Sequence, residues 1–286
     1  LAFAVTPAAA QVDSVVPGKL SFSGGRLELF PGADVFAPYL ADPHRPTSAI
    51  LQRFYSKTGI PDSKTPRTSM AVGGSFGLLR VDTAGPSGRS WQVSLDAGLD
   101  ALFDSKYKLD AIGWEGNYGL TLETASSGPL SHRFALFHVS SHLGDEYAVR
   151  NGLDPISYTR EEFAFGTAWR FARGWRAYGE FGYAWVLRSV DQEPWRLQAG
   201  AEWEGRPSLW GGRFAWYGAL DLQAMEERGW RLDPTLQGGI VTRSGGRAYR
   251  IHVEYLDGRP TIANFFSDDE AHFTIAKGEF FSLLGP

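Results

Sequence analysis

The stretch WRAYGEFGYAWVL, residues 175–187, alternates two kinds of residue almost without error. Its odd positions are aromatic or small and apolar, whereas its even positions include Arg176, Tyr178 and Glu180. The segment WRLQAGAEWE at 195–204 repeats the pattern. A period of two predicts a β-strand with two unlike faces. Strands of ten or so residues with aromatics near both ends are typical of strands that cross a bilayer at a tilt.

The same alternation continues through most of the chain. It predicts strands near 47–55, 70–82, 91–103, 112–124, 130–141, 158–171, 175–187, 195–204, 213–224, 230–242, 247–256 and 271–281. Single-chain bacterial barrels have an even number of strands, joined by alternating short turns and longer loops. We therefore predict an all-β fold, a transmembrane antiparallel up-and-down β-barrel of about 12 strands with both termini in the periplasm. The alternative is a soluble sandwich or lipocalin-like barrel, although soluble strands usually have only about five or six residues.

The composition is compatible with a barrel. The mean hydropathy of −0.23 and the lack of a long apolar run exclude transmembrane helices, whereas barrel strands escape that test because polar lumen residues lower the average. The absence of Cys excludes disulfides and thiolate metal sites. A net charge of −4 without a basic cluster argues against nucleic acid as a partner.

The N-terminus predicts export. Ala8, Ala9 and Ala10 precede Gln11 and form a signal-peptidase site, so residues 1–10 are expected to be the remnant of a signal peptide. We assign residues 11–46 to a periplasmic N-terminal segment and 47–286 to the barrel. The part of that segment rich in Pro and Asp, Gly32 to Pro46, is expected to lie across the periplasmic mouth or to pack into it. The predicted location is the bacterial outer membrane.

One stretch differs from the barrel pattern: FHVSSHLGDEY, residues 137–147, at the outer end of the fifth predicted strand. Residues two apart on a strand share a face with Cα atoms roughly 6.6 Å apart, so His138 could act as the base for Ser140. Glu161, at the start of the sixth strand, could orient the imidazole. His142 shares the face of His138 but is roughly 13 Å away along the strand, which is too far for one metal to bind both without a bulge.

Two assignments of the strand faces remain open from the sequence. If Arg133 points into the lumen, then Ser140, His138 and Glu161 can meet outside the barrel at the outer leaflet. If Ala135, Phe137 and Val139 face the lipid instead, the same histidines and serine belong to a polar network in the lumen. That alternative network consists of His138, Ser140, His142, Glu115, Asn117, Arg160 and Glu162.

Other features concern ions, partners and the pore. Asp145, Glu146 and Asp154 could bind calcium, since hard cations take clustered carboxylate oxygens, although an acidic solvated loop has the same composition. The expected partners are outer-membrane lipids and the barrel-assembly machinery during biogenesis, and a homodimer is left open. Long inward residues of both charges predict a closed or narrow lumen, and these are Arg176, Tyr178, Glu180, Arg196, Gln198, Glu202, Tyr217, Asp221, Arg250 and Glu254.

Three parts of the chain resemble a bacterial family catalogued as domain of unknown function 1207. They are LFPGADVFAPYLADP at 29–43, the run from His138 to Tyr147, and the Phe265-Phe266 region. The resemblance covers most of the mature chain. It implies an outer-membrane protein and no established activity.

The motif His138-x-Ser140 at the outer end of a strand is similar to the catalytic pair of outer membrane phospholipase A and of the barrel lipid A deacylase. The similarity implies that His138 is the base, that Ser140 is the nucleophile, and that Glu161 takes the place of the third, polar residue. The chain departs from these enzymes after the serine, with Ser141-His142 where Asn is usual, so the resemblance does not supply the oxyanion arrangement. The two functional hypotheses are an outer-membrane lipid acyl hydrolase and a non-enzymatic barrel that serves as a narrow pore or a structural protein.

Overall fold

The computed structural model describes residues 12–16, 18–61, 66–85, 88–106, 109–189, 191–244 and 247–284. The predicted signal-peptide remnant at 1–10 lies outside them. In chain order the strands are β1 (Val12–Val16), β2 (Lys19–Phe22), β3 (Gly25–Leu29), β4 (Ala33–Asp34), β5 (Ser48–Thr58), β6 (Arg67–Thr83), β7 (Arg89–Asp104), β8 (Asp110–Ser126), β9 (Leu130–Leu143), β10 (Tyr158–Ala172), β11 (Trp175–Leu187), β12 (Trp195–Glu204), β13 (Ala215–Met225), β14 (Leu232–Ser244), β15 (Arg247–Gly258) and β16 (Glu270–Leu284). One α-helix, α1 (Asp145–Asn151), and two short 3-10 helices, Glu226–Arg228 and Ala263–Phe265, lie in the connections. No helix in these parts of the chain is long and apolar enough to cross a membrane.

The strands β5 to β16 form a closed antiparallel up-and-down barrel of 12 strands, which confirms the predicted fold class. Each strand pairs with the next one along the chain, and β16 closes the barrel by pairing with β5 from Glu270↔Thr58 to Phe280↔Ser48. All the predicted barrel strands are present. Several are longer than predicted because pairing continues past the alternating apolar part, as in β6, which has 17 residues.

The connections define two ends of the barrel. The loop end carries the connections that follow β5, β7, β9, β11, β13 and β15, and the turn end carries the others. The two-residue turn Arg173-Gly174 requires glycine because Gly174 has a φ of +75° and a Cβ there would lie 2.2 Å from the carbonyl oxygen of Glu204.

The outside of the barrel is an apolar belt. Residues such as Val72, Leu120, Leu236 and Val253 are at least half exposed around its circumference. The tryptophans form two girdles, as in transmembrane barrels, where they mark the two membrane interfaces. Those near the turn end are Trp91, Trp169, Trp175, Trp203, Trp210 and Trp216, and those near the loop end are Trp114, Trp185, Trp195 and Trp230.

The N-terminal strands β1 to β3 were not predicted from the sequence. β5 pairs with β6 only between Arg67 and Ala71, which leaves the far end of that edge of β6 unpaired by the barrel. β3 covers part of it by pairing with Leu79–Thr83, and β1 and β2 continue the sheet. Covering an open strand edge in this way prevents pairing with other chains.

The following segment, residues 31–46, packs inside the barrel, and we call it the plug. Phe36, Tyr39 and Ala41 are at most 3% exposed. Side chains of the wall bind the plug backbone. Glu123 Oε2 accepts hydrogen bonds from the amides of Val35 and Phe36, both at 2.9 Å.

Inward-folded connections pack against one another at the loop end. Tyr147 of α1 and Phe265 pack with Ile60, Leu102, Ile112 and Ile262 in one buried cluster. Asn264 reaches into the barrel, where its Oδ1 accepts a hydrogen bond from Ser141 Oγ at 2.8 Å. With the plug inside and this cap at one end, the lumen is filled rather than open.

Candidate functional site

The orientation of β9 follows from Arg133. Its Nε donates a hydrogen bond to Glu180 Oε2 at 2.7 Å inside the barrel, so the alternate residues Phe134 and Leu136 face outward and are 43% and 45% exposed. His138, Ser140 and His142 continue this outward row. The placement of these three side chains in a lumen network is therefore wrong. An inward Arg133 finds a buried carboxylate partner, and the period of two then fixes the rest of the strand.

His138 lies between an acid and an aromatic ring. It is opposite Glu161 on β10 and opposite Tyr118 on β8. His138 Nδ1 is 2.7 Å from Glu161 Oε1, and its ring stacks on Tyr118 with centroids 4.7 Å apart. Both side chains of the pair keep partial exposure, 20% for His138 and 31% for Glu161. The carboxylate on the lipid-facing side thus has the partner that an apolar environment requires.

Ser140 lies one outward position further toward the loop end. It is opposite Gly116 on β8 and Thr159 on β10. Its Oγ makes no hydrogen bond within the parts of the chain that the structure describes, so the hydroxyl is free to rotate. Hydrogen bonds between catalytic groups are often made only once substrate is bound, so this geometry is compatible with His138 as its base.

The site lies at the level of the loop-end tryptophans. The next outward residue after Ser140 is His142, whose ring stacks on Trp114 with centroids 4.3 Å apart. Trp114 belongs to the girdle that marks the membrane interface. Ser140 is therefore held near the boundary between lipid head groups and acyl chains, which is where the ester bonds of lipids lie.

The remaining members of the alternative network do face the lumen. Glu115, Arg160 and Glu162 are at most 5% exposed. Asn117 Nδ2 donates a hydrogen bond to the carbonyl of His44 in the plug at 2.8 Å. Arg160 Nε donates to Glu162 Oε2 at 2.8 Å. These residues line a cavity of about 130 Å³ between the wall and the plug.

Ion pairs connect the lumen across several strands. Glu180 accepts hydrogen bonds from Arg133 and Arg196, and a further one at 3.0 Å from the hydroxyl of Tyr39 in the plug. Arg196 extends the network to Glu162 at 2.6 Å. Buried charges of this kind are tolerated only when they are paired and hydrogen-bonded. The network accounts for the mixed charges that the sequence places on inward positions.

The residues predicted to bind calcium are not gathered into a site. Asp145 and Glu146 are exposed in the first turn of α1, and Asp154 lies in the connection after it. Among the described residues, no group of three or more His, Cys, Asp or Glu side chains could hold a metal ion. The negative first turn also has a simpler role, because acids stabilise the N-terminal end of a helix.

Three neighbours of the site, Gly116, Tyr118 and Trp114, were not predicted from the sequence. The tight turn between β8 and β9 is the sequence feature from which these neighbours could have been predicted. It pairs Ala125 with Ser131, and counting back along an unbroken antiparallel ladder then places Tyr118 opposite His138. The position of that turn had to be known to within one residue, since a one-residue error moves every side chain to the other face.

The family described as "Protein of unknown function (DUF1207)" matches residues 3–279. The chain belongs to this family. No curated protein matches it significantly by sequence. The family match covers the plug, the His138–Ser140 motif and the loop-end cap together.

Solved structures with a similar fold are outer-membrane barrels. Outer membrane phospholipase A from Escherichia coli has a TM-score of 0.52 and 10% sequence identity, covering 88% of this chain and 95% of that chain. An active-site mutant of the same protein has a TM-score of 0.51 and 9% identity, with the same coverage. The β domain of the Bordetella autotransporter BrkA has a TM-score of 0.41 and 13% identity, covering 82% and 98%. Together with the apolar belt, this fold locates the DUF1207 protein in the bacterial outer membrane.

Proposed function

We propose that this DUF1207 protein is an outer-membrane lipid acyl hydrolase with Ser140 as nucleophile, His138 as base and Glu161 as the residue that orients His138. The observation that carries the proposal is the hydrogen bond between His138 and Glu161 on the outward face. Ser140 is the next outward residue after His138 on β9. A nucleophile, a base and a group that orients the base are the elements of serine hydrolases on many folds. The fold shared with a phospholipase supports the proposal.

In the first half of the reaction, Ser140 Oγ attacks the carbonyl carbon of the ester while Nε2 of His138 takes the hydroxyl proton. Glu161 accepts the hydrogen bond from Nδ1–H, which fixes the tautomer and stabilises the imidazolium. The tetrahedral intermediate then collapses. The bond between the carbonyl carbon and the alcohol oxygen breaks, and His138 gives its proton to the leaving alcohol.

In the second half, a water molecule attacks the acyl-serine ester and gives its proton to His138. Collapse of this intermediate breaks the bond to Ser140 Oγ, which takes the proton back, and the fatty acid leaves. Water must reach the carbonyl for this step. The partial exposure of His138 and Glu161 near the interface allows that access.

The experiment is an assay of the purified, refolded protein in detergent micelles that contain phospholipid or lipopolysaccharide. Ser140→Ala and His138→Ala are each expected to lower fatty-acid release by several orders of magnitude, and the double variant by no more, because members of such a unit are not additive. Absence of fatty-acid release by the wild type under all conditions would overturn the proposal, as would full activity in Ser140→Ala.

The chain offers a matched control in His132. It lies on the same outward face of β9 and contacts Thr167 on β10, with its Nδ1 3.0 Å from Thr167 Oγ1. His132→Ala removes the same side chain from a similar environment away from Ser140, so it should keep its activity. Heat-modifiable mobility on a gel checks that all variants are folded.

The proposal also includes calcium as a candidate cofactor, outer-membrane lipids as substrates, and two protein partners. If Asp145, Glu146 and Asp154 bind calcium in the working enzyme, chelation lowers activity and their alanine variants abolish the response. The substrates are the lipids around the barrel. The barrel-assembly machinery and a homodimer remain predictions, to be tested by crosslinking in cells and by mass measurement in detergent.

A further inference from the structure

The outward face of β8 has a gap beside Ser140. From Trp114 to Leu122 its outward residues are Trp114, Gly116, Tyr118, Leu120 and Leu122. Four of these carry large side chains. Gly116 carries none, and it is directly opposite Ser140 on β9 and Leu99 on β7.

The fold does not require glycine at this position. Gly116 does not have a positive φ, and a Cβ there would lie 3.4 Å from the Trp114 ring and 3.8 Å from Ser140 Oγ, which are ordinary contacts. Gly113 and Gly119 on the inward face of the same strand differ, since their Cβ atoms would lie 2.6 Å and 2.1 Å from backbone oxygens of β9. Packing against the neighbouring strands therefore does not require a glycine at position 116, although the residue leaves Ser140 without a side chain opposite it on β8.

Aromatic side chains border this space on both sides. The Trp114 ring with His142 forms one wall, and the Tyr118 ring with His138 forms the other. The Cα atoms of Trp114 and Tyr118 are roughly 13 Å apart, from the rise per residue of a strand. The floor continues from Gly116 to Leu99, which is 46% exposed. We call this space the Gly116 slot.

We propose that the Gly116 slot binds the acyl chain of the ester that Ser140 attacks, with the first carbons over Gly116 and the rest over Leu99. This inference rests on the proposed function. The floor is apolar and the walls are the faces of aromatic rings, so a head group would lose hydration over the floor, whereas an alkyl chain gains contacts there. The leaving alcohol then lies on the opposite side of Ser140, toward Thr159. The slot selects long-chain esters over short-chain ones.

The first test uses chain-length preference. Gly116→Leu fills the slot, and the matched control is Gly179→Leu, because Gly179 also faces outward, is exposed and has open space for a side chain. Gly116→Leu should lower kcat/KM for p-nitrophenyl palmitate by roughly 10- to 200-fold, and for p-nitrophenyl butyrate by less, because only the first carbons of the short chain meet the new side chain. Gly179→Leu should change neither. An unchanged palmitate-to-butyrate ratio in folded Gly116→Leu would overturn the inference.

A second test measures acyl-chain binding in a variant that does not hydrolyse the ester. A palmitoyl phosphatidylethanolamine and a lipopolysaccharide, each with a diazirine near the middle of one acyl chain, are photolysed with the Ser140→Ala variant, and the labelled peptides are identified. Labelling concentrated on β7 around Leu99, and lost on adding Gly116→Leu, supports the slot and shows which lipid enters it. Labelling spread evenly around the belt overturns the slot. Concentrated labelling in a protein without hydrolytic activity would overturn the proposed function and leave the slot intact.

Discussion

His138 and Glu161 face each other across the direct register of β9 and β10, with Nδ1 and Oε1 2.7 Å apart on the lipid-facing side of the barrel. An acid in an apolar belt lowers stability unless it is paired, so the position carries a cost that a purely structural belt avoids. The polar lumen network, by contrast, forms on the other face of the wall, without contact to these two residues. This position of the pair is what the proposed hydrolase uses, since the reaction requires a base and its orienting acid on the lipid-facing side.

The role of Glu161 can be separated from simple charge pairing. Glu161→Gln keeps an oxygen that accepts the hydrogen bond from Nδ1–H of His138, whereas Glu161→Ala removes it. We expect Glu161→Ala to lower kcat by at least about a hundredfold with little change in KM, and Glu161→Gln to keep more of the activity. Steady-state kinetics on a soluble ester measures both parameters. Equal activity of wild type and Glu161→Ala would remove Glu161 from the mechanism.

Thr159 is the neighbour of Ser140 that could stabilise the oxyanion. It lies directly opposite Ser140, and the Cβ atoms of such pairs are about 4.5–5.5 Å apart, so its hydroxyl can reach the substrate carbonyl. Thr159→Val keeps the shape and removes the donor. Loss of one oxyanion donor typically lowers kcat by about 10²–10³-fold. Wild-type kcat in Thr159→Val would assign the donor elsewhere.

The strand pattern could be predicted because alternation is local. The prediction of residues 175–187 coincides with β11, Trp175–Leu187, in which an apolar belt and a polar lumen impose opposite demands on successive residues. The outward face of β9 could not be predicted in the same way. Phe137 and Val139 are as apolar as Phe134 and Leu136, and only the contact of Arg133 with Glu180 on another strand decides between the two faces.

The plug and the N-terminal strands depend even more on distant contacts. The strands β2 and β3 have four and five residues, which is too short for a clear period, and they exist because β6 offers an uncovered edge. The plug has no regular pattern beyond the two residues of β4. Its position is set by charged residues of the wall that bind its backbone.

Glu180 tests the stability of the lumen network. Glu180→Ala leaves Arg133 and Arg196 without their shared carboxylate inside the barrel, and we expect a loss of about 3–5 kcal/mol in the free energy of unfolding. The matched control is Glu204→Ala, which breaks a partly exposed pair with Arg243 and should cost about 1 kcal/mol or less. Urea unfolding in lipid, followed by tryptophan fluorescence, measures both. Similar losses in the two variants would show that the lumen charges contribute no more than surface ones.

Asp269 makes the loop end sensitive to acid. Burial alone would raise the pKa of Asp269, but hydrogen bonds from Lys57, Arg228 and Arg231 hold it well below its ordinary range. A carboxyl with a lowered folded pKa stabilises the fold above its unfolded pKa of about 3.9, and that contribution disappears as the pH falls through the folded value.

Asp269→Asn should therefore speed hydrogen exchange in 226–231 at neutral pH. The difference from wild type should shrink steadily below about pH 4. Asp257→Asn is the control. Asp257 contacts Arg231, whereas Asp269 contacts both Arg231 and Arg228. A difference that is independent of pH would mean that Asp269 acts through packing rather than charge.

Removal of the plug should open the barrel. Arg176 donates hydrogen bonds to the carbonyls of Ala37 and Pro38, and Glu202 accepts one from the amide of Leu40, so the plug is held through its backbone as well as its side chains. A deletion therefore removes contacts that substitutions in the plug would leave in place. We expect wild type to show no large, steady single-channel currents in planar bilayers, and a deletion of residues 33–45 to show them. The proposed hydrolytic site lies on the outside of the barrel, so the deletion variant, if its gel mobility remains heat-modifiable, should retain any esterase activity of the wild type. Large steady currents from the wild type would mean that the plug does not seal the lumen, and their absence from the folded deletion variant would assign the seal to the loop-end cap around Asn264.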